Sequence, residues 1–262
     1  MQISDYWSRA RGKYYRTGAR LLFRRPLALT NRTPLISFTF DDFPRSALLA
    51  GGKLLKSFGA TGTYYVSLGL MGKAAPTGEM FVMDDLRAAI ADGHELGCHT
   101  FDHCHSADTP TSVFESSVLE NRLALQTMLP DVSFQTFSYP ISPPRVQTKR
   151  RIGKHFACCR GGGQTFNKGT ADLSYLAAFF LEQSRDDENS VRKLIDRNRE
   201  ARGWLIVATH DISESPTPYG CTPEFFGRVV EYAVLSGARI VPVFEAWRLL
   251  RTSAAEPTKK RQ

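Results

Sequence analysis

The chain has 262 residues, 42% of them hydrophobic, and a formal net charge of +8. That apolar fraction supports a folded core and excludes an intrinsically disordered chain. Charged residues interrupt every apolar stretch before it reaches about eighteen residues, so we expect no membrane-spanning helix. The length suits one large α/β domain or two small ones.

The positive charge is concentrated at the two ends. Residues 1–33 contain eight basic residues and one acid, Asp5, which gives +7, and residues 253–262 add +2. Aromatic and aliphatic residues lie among these arginines. The pattern is typical of a helix that binds an anionic membrane, nucleic acid or another partner, or that packs across the body with a solvated basic face.

We therefore predict three regions: a basic aromatic N-terminal segment over 1–33, a body over 34–252 and a basic tail over 253–262. Of the binding partners, we expect an anionic membrane surface for residues 1–33 and no nucleic acid. The five cysteines are odd in number and lack CxxC spacing, and the first residues lack the apolar core of a signal peptide. These features indicate free thiols in a reducing compartment, so we predict a cytoplasmic protein, peripheral to the inner membrane.

Apolar periodicity predicts that strands and helices alternate along the body. The predicted strands are 35–40, 61–66, 94–98, 134–139, 155–159, 204–209 and 239–243, and the predicted helices are 45–58, 83–92, 111–129, 143–152, 187–202, 222–236 and 245–250. This alternation builds a parallel sheet, either open and doubly wound or closed as a barrel. A nucleotide-binding fold is disfavoured, because the glycines at 161–163 lack the phosphate-binding spacing.

Two adjacent acids, Asp41 and Asp42, follow the first predicted strand directly. Adjacent carboxylates are costly to keep ionised, so a metal ion, a shared proton or solvent must relieve them. The alternative is a helix start, with Asp42 as N-cap and Pro44 in the first turn.

Histidines follow two other predicted strands. His99 and His103 are four residues apart, a spacing that places both imidazoles on one face of a helical turn, where they can reach one ion. With an acid from another strand end they make a three-ligand set that leaves coordination open for water, as in catalytic zinc sites. The alternative is a loop with two unrelated histidines. His210 follows the apolar strand WLIVAT, a position that favours the mouth of the fold over the core.

Four motifs resemble, in the same order, those of the polysaccharide deacetylases of carbohydrate esterase family four, which share their domain with the rhizobial chitooligosaccharide deacetylases. The motifs are TFDD (39–42), HTFDH (99–103), FSYP (137–140) and IVATHD (206–211). The resemblance spans roughly 34–250. It implies a single-domain α/β fold, a distorted (β/α) barrel of seven or eight strands. It also implies a divalent metal ion, usually zinc and sometimes cobalt or nickel.

The resemblance also implies roles for individual residues. Asp41 corresponds to the general base and His210 to the general acid. The implied metal ligands are Asp42, His99 and His103. The backbone N–H after the FSYP strand would help to hold the oxyanion, and in the family this donor belongs to the tyrosine of the third motif, which here is Tyr139.

The sequence departs from the family in two motifs. The third motif commonly carries an arginine that steadies the catalytic Asp, whereas Ser138 and Tyr139 occupy the region here. The fourth motif, an Asp and a Trp, has no clear match, and KHFACCRGGG stands in its place. Arg160 ends the next predicted strand, so we predict that it supplies the missing positive charge to Asp41. The alternative is a surface arginine in a glycine-rich loop.

Together these features predict a metal-dependent hydrolase that removes N-acetyl groups, or as second choice O-acetyl groups, from a saccharide or glycan precursor. Hydrolysis of another amide on the same fold, as in allantoinase- and deformylase-like relatives, is the first alternative. The second is a glycan- or lipid-binding protein that kept the metal site and lost turnover. Intact Asp41 and His210 argue against the second, because a binding protein needs neither base nor acid.

Overall fold

A curled parallel sheet forms the centre of the protein. The structure is a computed structural model and describes residues 12, 14–141 and 143–255. Within that part of the chain, eight parallel strands form the sheet, seven of them in one continuous order. In spatial order these seven are Phe179–Phe180 (β10), Trp204–Thr209 (β11), Leu35–Phe40 (β2), Thr63–Val66 (β3), Glu95–Cys98 (β6), Thr136–Ser138 (β7) and Cys158–Arg160 (β8). Arg239–Ile240 (β12) also pairs in parallel with β2.

An irregular stretch links the two edge strands of this sheet. Cys159 in β8 donates its amide to the Leu173 carbonyl and accepts from the Leu176 amide, both at 2.8 Å. The same stretch of chain then continues into β10, which pairs with β11. The sheet is therefore a distorted half-barrel, and the predicted α/β barrel-like fold in one domain is confirmed.

Helices cover the outside of the sheet and one end of it. A π-helical turn, Ala47–Gly52, leads into Lys53–Ser57 (α1), and the later helices are Met83–Ala91 (α2), Thr111–Met128 (α3), Val146–Ile152 (α4), Glu188–Glu200 (α5), Pro223–Leu235 (α6) and Val243–Ala255 (α7). Short 3₁₀ turns span Leu68–Leu70 and Leu181–Ser184. Among the described residues, no helix is both long and apolar enough to cross a membrane.

Strand β2 shows why this sequence makes a doubly covered sheet. All six of its residues are buried. On one face Phe38 packs edge-on against Phe226 of α6, with ring centroids 5.5 Å apart. On the other face Ser37 accepts a hydrogen bond of 3.1 Å from the indole N–H of Trp204. One face of β2 thus packs its apolar residues against a helix, and on the other face Ser37 bonds to the neighbouring strand β11, so the strand is buried on both faces.

The predicted elements agree closely with the observed ones at several boundaries. The strand predicted over 204–209 has those bounds in the structure. Gly59 and Gly93, expected to end the first two helices, have φ values of 68° and 81°, the left-handed conformation that glycine adopts most readily. The predicted strands over 134–139 and 155–159 are shorter in the structure, and α7 extends beyond the predicted end of the body at 252.

Two pairs of short antiparallel strands lie outside the main sheet. Pro26–Ala28 (β1) pairs antiparallel with Thr170–Asp172 (β9), so the end of the predicted N-terminal segment joins the body. Ala74–Ala75 (β4) and Gly78–Glu79 (β5) form a small hairpin beside the carboxyl end of β2. Residues 14–21 are helical, whereas residues 1–11 and 13 of the predicted segment, and the tail after residue 255, lie outside the described residues.

Candidate active site

The polar residues singled out in the sequence meet at one edge of the sheet. Asp41 and Asp42 follow β2, His99 follows β6, Ser138 ends β7, Arg160 ends β8 and His210 follows β11. Parallel strands deliver their last residues to the same edge, which explains the convergence. Asp42 and Phe43 have φ values of 62° and 59°, so the chain leaves β2 in a tight left-handed turn. The two adjacent carboxylates consequently meet different partners.

Asp42, His99 and His103 form a candidate metal site. One ligand atom from each residue lies within 4.8 Å of the others. Asp42 Oδ1 is 3.0 Å from His103 Nε2 and 3.5 Å from His99 Nε2. Within the part of the chain that the structure describes, this buried oxygen has no hydrogen-bond partner apart from those imidazole nitrogens. Two imidazole nitrogens and a carboxylate oxygen are donors that zinc accepts, so the residues fit a divalent ion.

Contacts behind the ligands fix their orientation. His99 Nδ1 lies 2.8 Å from the Ser138 carbonyl. A carbonyl can only accept, so Nδ1 carries the proton and Nε2 directs its lone pair toward Asp42. Asp42 Oδ2 accepts a hydrogen bond of 3.0 Å from Thr77, in the hairpin between β4 and β5. Oδ1 is thereby left to face the two histidines.

The prediction that a helical turn carries the two histidines is wrong. Residues 99–103 form a loop, in which Thr100 and His103 have φ values of 64° and 53°. Ser117 Oγ in α3 accepts hydrogen bonds from the amides of Phe101 and Asp102, at 3.0 and 3.2 Å. The loop still brings the two imidazole centroids to 5.1 Å, because the left-handed residues turn His103 back toward His99.

A buried ion pair joins Asp41 to Arg160. The guanidinium also contacts Ser138 Oγ and lies over the rings of Tyr65 and Phe180, at 5.1 and 5.3 Å. Burial acts to raise the pKa of Asp41, but the charge of Arg160, followed by the nearby histidines, outweighs it, so the pKa of Asp41 is lowered. Asp41 is therefore held as a carboxylate, in the contact predicted for Arg160.

The pKa values of the three ligand residues are also displaced. Burial lowers the pKa of His99 to about 4, which favours the neutral imidazole. Burial acts in the same direction on His103, but the hydrogen bond and charge of Asp42 dominate and raise the pKa of His103. For Asp42 burial is opposed mainly by His103, and the pKa of Asp42 is lowered.

His210 lies on the open side of the site. Its Nδ1 is 3.1 Å from the carbonyl of Tyr219, and the two rings are 5.7 Å apart in an edge-on arrangement. The carbonyl requires a proton on Nδ1, so Nε2 is the atom free for chemistry. The charge of His210 contributes to lowering the pKa of Asp41, which places both residues in one electrostatic environment.

Two residues of the site were not predicted from the sequence. Thr77 is one, because its role depends on a hairpin of two-residue strands. Glu182 is the other: it lies in the 3₁₀ turn that follows β10, where the charges of His210 and Asp41 both act on its carboxyl group. Burial raises the pKa of Glu182 to about 7, and its Oε2 has no partner among the described residues. Its position after the strand residues FF follows the same strand-end pattern as Asp41, and that signal could have identified it.

Tyr139 does not match the expected oxyanion donor. Its amide donates a hydrogen bond of 3.0 Å to the Arg160 carbonyl. Its ring is 6% exposed and packs against Phe137 and Tyr175, with centroids 5.0 and 6.0 Å away. Pairing between the ends of β7 and β8 therefore occupies the amide, and the side chain belongs to the core. Ser138 instead contacts both Arg160 and His99, through its hydroxyl and its carbonyl.

Comparison with known proteins identifies the family that the chain resembles. The family model described as polysaccharide deacetylase matches residues 28–155. Over these residues the chain matches the polysaccharide deacetylase family, and this match indicates a hydrolase. The matched range contains Asp41, Asp42, His99 and His103, and it ends before Arg160, Glu182 and His210. A search of curated proteins found no match.

Solved structures of family members share the fold. The chitin deacetylase of the fungus Colletotrichum lindemuthianum is 16% identical, with 89% of this chain and 92% of that chain covered and a TM-score of 0.60. A family 4 acetyl xylan esterase of Clostridium thermocellum, solved with a cobalt ion, is 19% identical, with 82% and 91% covered and a TM-score of 0.57. A mutant of a family 4 pseudoenzyme is 10% identical, with 82% and 68% covered and a TM-score of 0.56. At these identities the likeness concerns the fold alone.

Proposed function

We propose that this polysaccharide deacetylase family member is a metal-dependent hydrolase that removes N-acetyl groups, with O-acetyl groups as second choice, from a saccharide or glycan precursor. The observation that supports it most strongly is the set of Asp42, His99 and His103 immediately beside the buried ion pair of Asp41 and Arg160. A ligand set beside a separately held carboxylate suits hydrolysis, because one group can bind the ion while another accepts a proton.

Asp42, His99 and His103 would hold the ion, for which we propose zinc, with cobalt or nickel as alternatives. When bound, the ion would polarise the acyl carbonyl and lower the pKa of the attacking water. Asp41 accepts the proton of that water, and Arg160 keeps its carboxylate ionised and in one orientation. The buried position of both residues strengthens this electrostatic control.

His210 serves as the general acid in this proposal. Its Nδ1 proton is engaged by the Tyr219 carbonyl, which leaves Nε2 to deliver a proton to the leaving amine or alkoxide. The carboxyl group of Glu182 lies close enough to His210 for the two charges to interact. Proton acceptor and proton donor thus approach the substrate from different strands.

A saccharide substrate is supported by the relatives, among them a chitin deacetylase and an acetyl xylan esterase. Other amide hydrolysis on this fold is the first alternative. A binding protein without turnover is the second, and a pseudoenzyme among the similar structures makes it worth testing. The presence of Asp41 and His210 favours an active enzyme. The five free cysteines favour the reducing environment of the cytoplasm.

Acetate release from defined substrates tests the proposal. Zinc-loaded protein is incubated with N-acetylated chitooligosaccharides and acetylated xylan, and released acetate is measured. A parallel sample contains allantoin, whose hydrolysis opens the ring without releasing acetate and is followed as formation of allantoate. We expect release from an acetylated saccharide that stops on chelation and returns with zinc. Hydrolysis of allantoin alone would favour the first alternative, and saccharide binding without product in any zinc-loaded sample would favour the second.

A further inference from the structure

The end of the N-terminal helix exposes three consecutive large apolar residues. Leu21, Leu22 and Phe23, at the end of the helical residues 14–21, are 66%, 47% and 43% exposed. Single exposed apolar residues are common on soluble proteins, but a continuous group marks an interaction surface more often. Such a group needs a partner that accepts apolar side chains.

Buried polar contacts hold these residues in place. Lys149 Nζ donates to the carbonyls of Ala19 and Leu22, at 2.6 and 2.7 Å, and to Asp172 Oδ2 at 2.6 Å. Arg25 donates to the carbonyls of Phe156 and Leu173, at 3.0 and 2.9 Å. The backbone is thus attached to the body on both sides of the exposed group, so a fixed scaffold presents the apolar side chains.

The surface around this group is basic. Residues 14–33 contain five arginines, and residues 143–155, which include α4, contain five lysines and arginines; neither stretch contains an acid. The two stretches meet where the Arg150 guanidinium lies 5.0 Å from the Phe23 ring. Several of these side chains are exposed and form no ion pair with any described residue: Arg16, Arg20, Arg24 and Arg150.

We propose that this surface binds an anionic lipid bilayer. The basic apolar face comprises Leu21, Leu22, Phe23, Arg16, Arg20, Arg24 and Arg150. Its apolar side chains would enter the boundary between headgroups and acyl chains, while its guanidinium groups pair with anionic headgroups. Charge complementarity alone would also suit nucleic acid, but exposed leucines gain nothing from phosphates, so the combination favours a bilayer. The proposal is independent of the enzymatic activity.

Vesicle flotation of the full-length protein tests it. We expect binding to vesicles of phosphatidylcholine mixed with phosphatidylglycerol, little binding to phosphatidylcholine alone, and weaker binding as salt rises, because exposed charges are screened beyond about 8 Å at physiological ionic strength. One triple variant carries Leu21→Ser, Leu22→Ser and Phe23→Ser, and the other carries Arg20→Glu, Arg24→Glu and Arg150→Glu. Each should bind the mixed vesicles at least roughly tenfold more weakly than wild type does.

A matched control removes exposed apolar side chains elsewhere. Leu119 and Leu123 on α3 are 48% and 66% exposed, so Leu119→Ser with Leu123→Ser should leave vesicle binding unchanged. Unchanged melting temperatures would verify that all three variants fold. Wild-type protein that ignores mixed vesicles at low salt, or either triple variant that binds them as wild type does, would overturn the proposal. Salt-sensitive binding to random duplex DNA without vesicle binding would assign the face to nucleic acid instead.

Discussion

Asp41 and Arg160 form a buried ion pair although 119 residues separate them in the chain. The pair depends on the curl of the sheet, which brings the end of β8 toward the end of β2 although three strands lie between them. Arg160 thereby supplies the positive charge that the FSYP motif lacks. Its proposed part in catalysis is to keep Asp41 ionised and in one orientation.

Replacing Arg160 should change the pH profile as well as the rate. Burial alone would raise the pKa of Asp41, and Arg160 is the largest influence that lowers it. In Arg160→Met we therefore expect a lower kcat and an acidic limb of kcat/KM displaced to higher pH. The kcat and the acidic limb of Arg160→Lys should lie between those of Arg160→Met and wild type, because lysine keeps the positive charge but lacks the planar, two-pronged guanidinium. An acidic limb that stays in place in Arg160→Met would contradict the role.

Thr77 should tune metal affinity through Asp42. Its hydroxyl donates to Asp42 Oδ2 at 3.0 Å, so Thr77→Val leaves that oxygen unpaired and the carboxylate free to rotate. We expect about tenfold weaker zinc binding, the lower end of the usual effect of contacts behind a metal ligand. Competition against a chromophoric chelator measures the Kd. Thr77→Ser keeps the hydroxyl and should bind as wild type does; equal affinities in the valine variant would reject the assignment.

The division of labour between the adjacent acids predicts a separation of metal binding from turnover. Asp41→Asn removes the proton acceptor and keeps the shape, so turnover should fall by roughly 10² to 10⁴-fold. His210→Ala should behave similarly, because it removes the proton donor. Initial rates of acetate release measure both. Wild-type kcat in either variant would refute the role of the residue changed.

Much of this site follows from the sequence for a simple physical reason. Buried apolar strands are easy to recognise, and the polar residues after them must share one edge of a parallel sheet, which is how Asp41, His99 and His210 were found. Thr77 and Glu182 were missed because their positions depend on very short strands. Tyr139 is expected to donate its amide to the oxyanion, but that amide donates to the Arg160 carbonyl where β7 and β8 end. The spacing of His99 and His103 predicts that a helical turn brings them together, whereas in the structure a loop held by Ser117 does so.

Glu182 should make stability depend on pH. Burial raises the pKa of Glu182 to about 7, above its ordinary value of 4.5. The folded protein then keeps a proton that the unfolded chain has already released, so stability is lost as pH rises between about 5 and 7. Glu182→Gln removes this dependence, and its melting temperature should gain on that of wild type across the window. Glu120→Gln is a surface control, because Glu120 is exposed and forms no ion pair with any described residue. A constant difference between Glu182→Gln and wild type would contradict the environment assigned to Glu182.

The zinc content of three purified proteins tests the central claim most directly. Wild type, Asp41→Asn and His103→Ala are loaded with zinc, dialysed and analysed by plasma mass spectrometry. We expect about one ion per chain in wild type and in Asp41→Asn, since only Asp42, His99 and His103 bind the ion, and little zinc in His103→Ala. Full occupancy in His103→Ala, or loss of zinc in Asp41→Asn, would contradict the account.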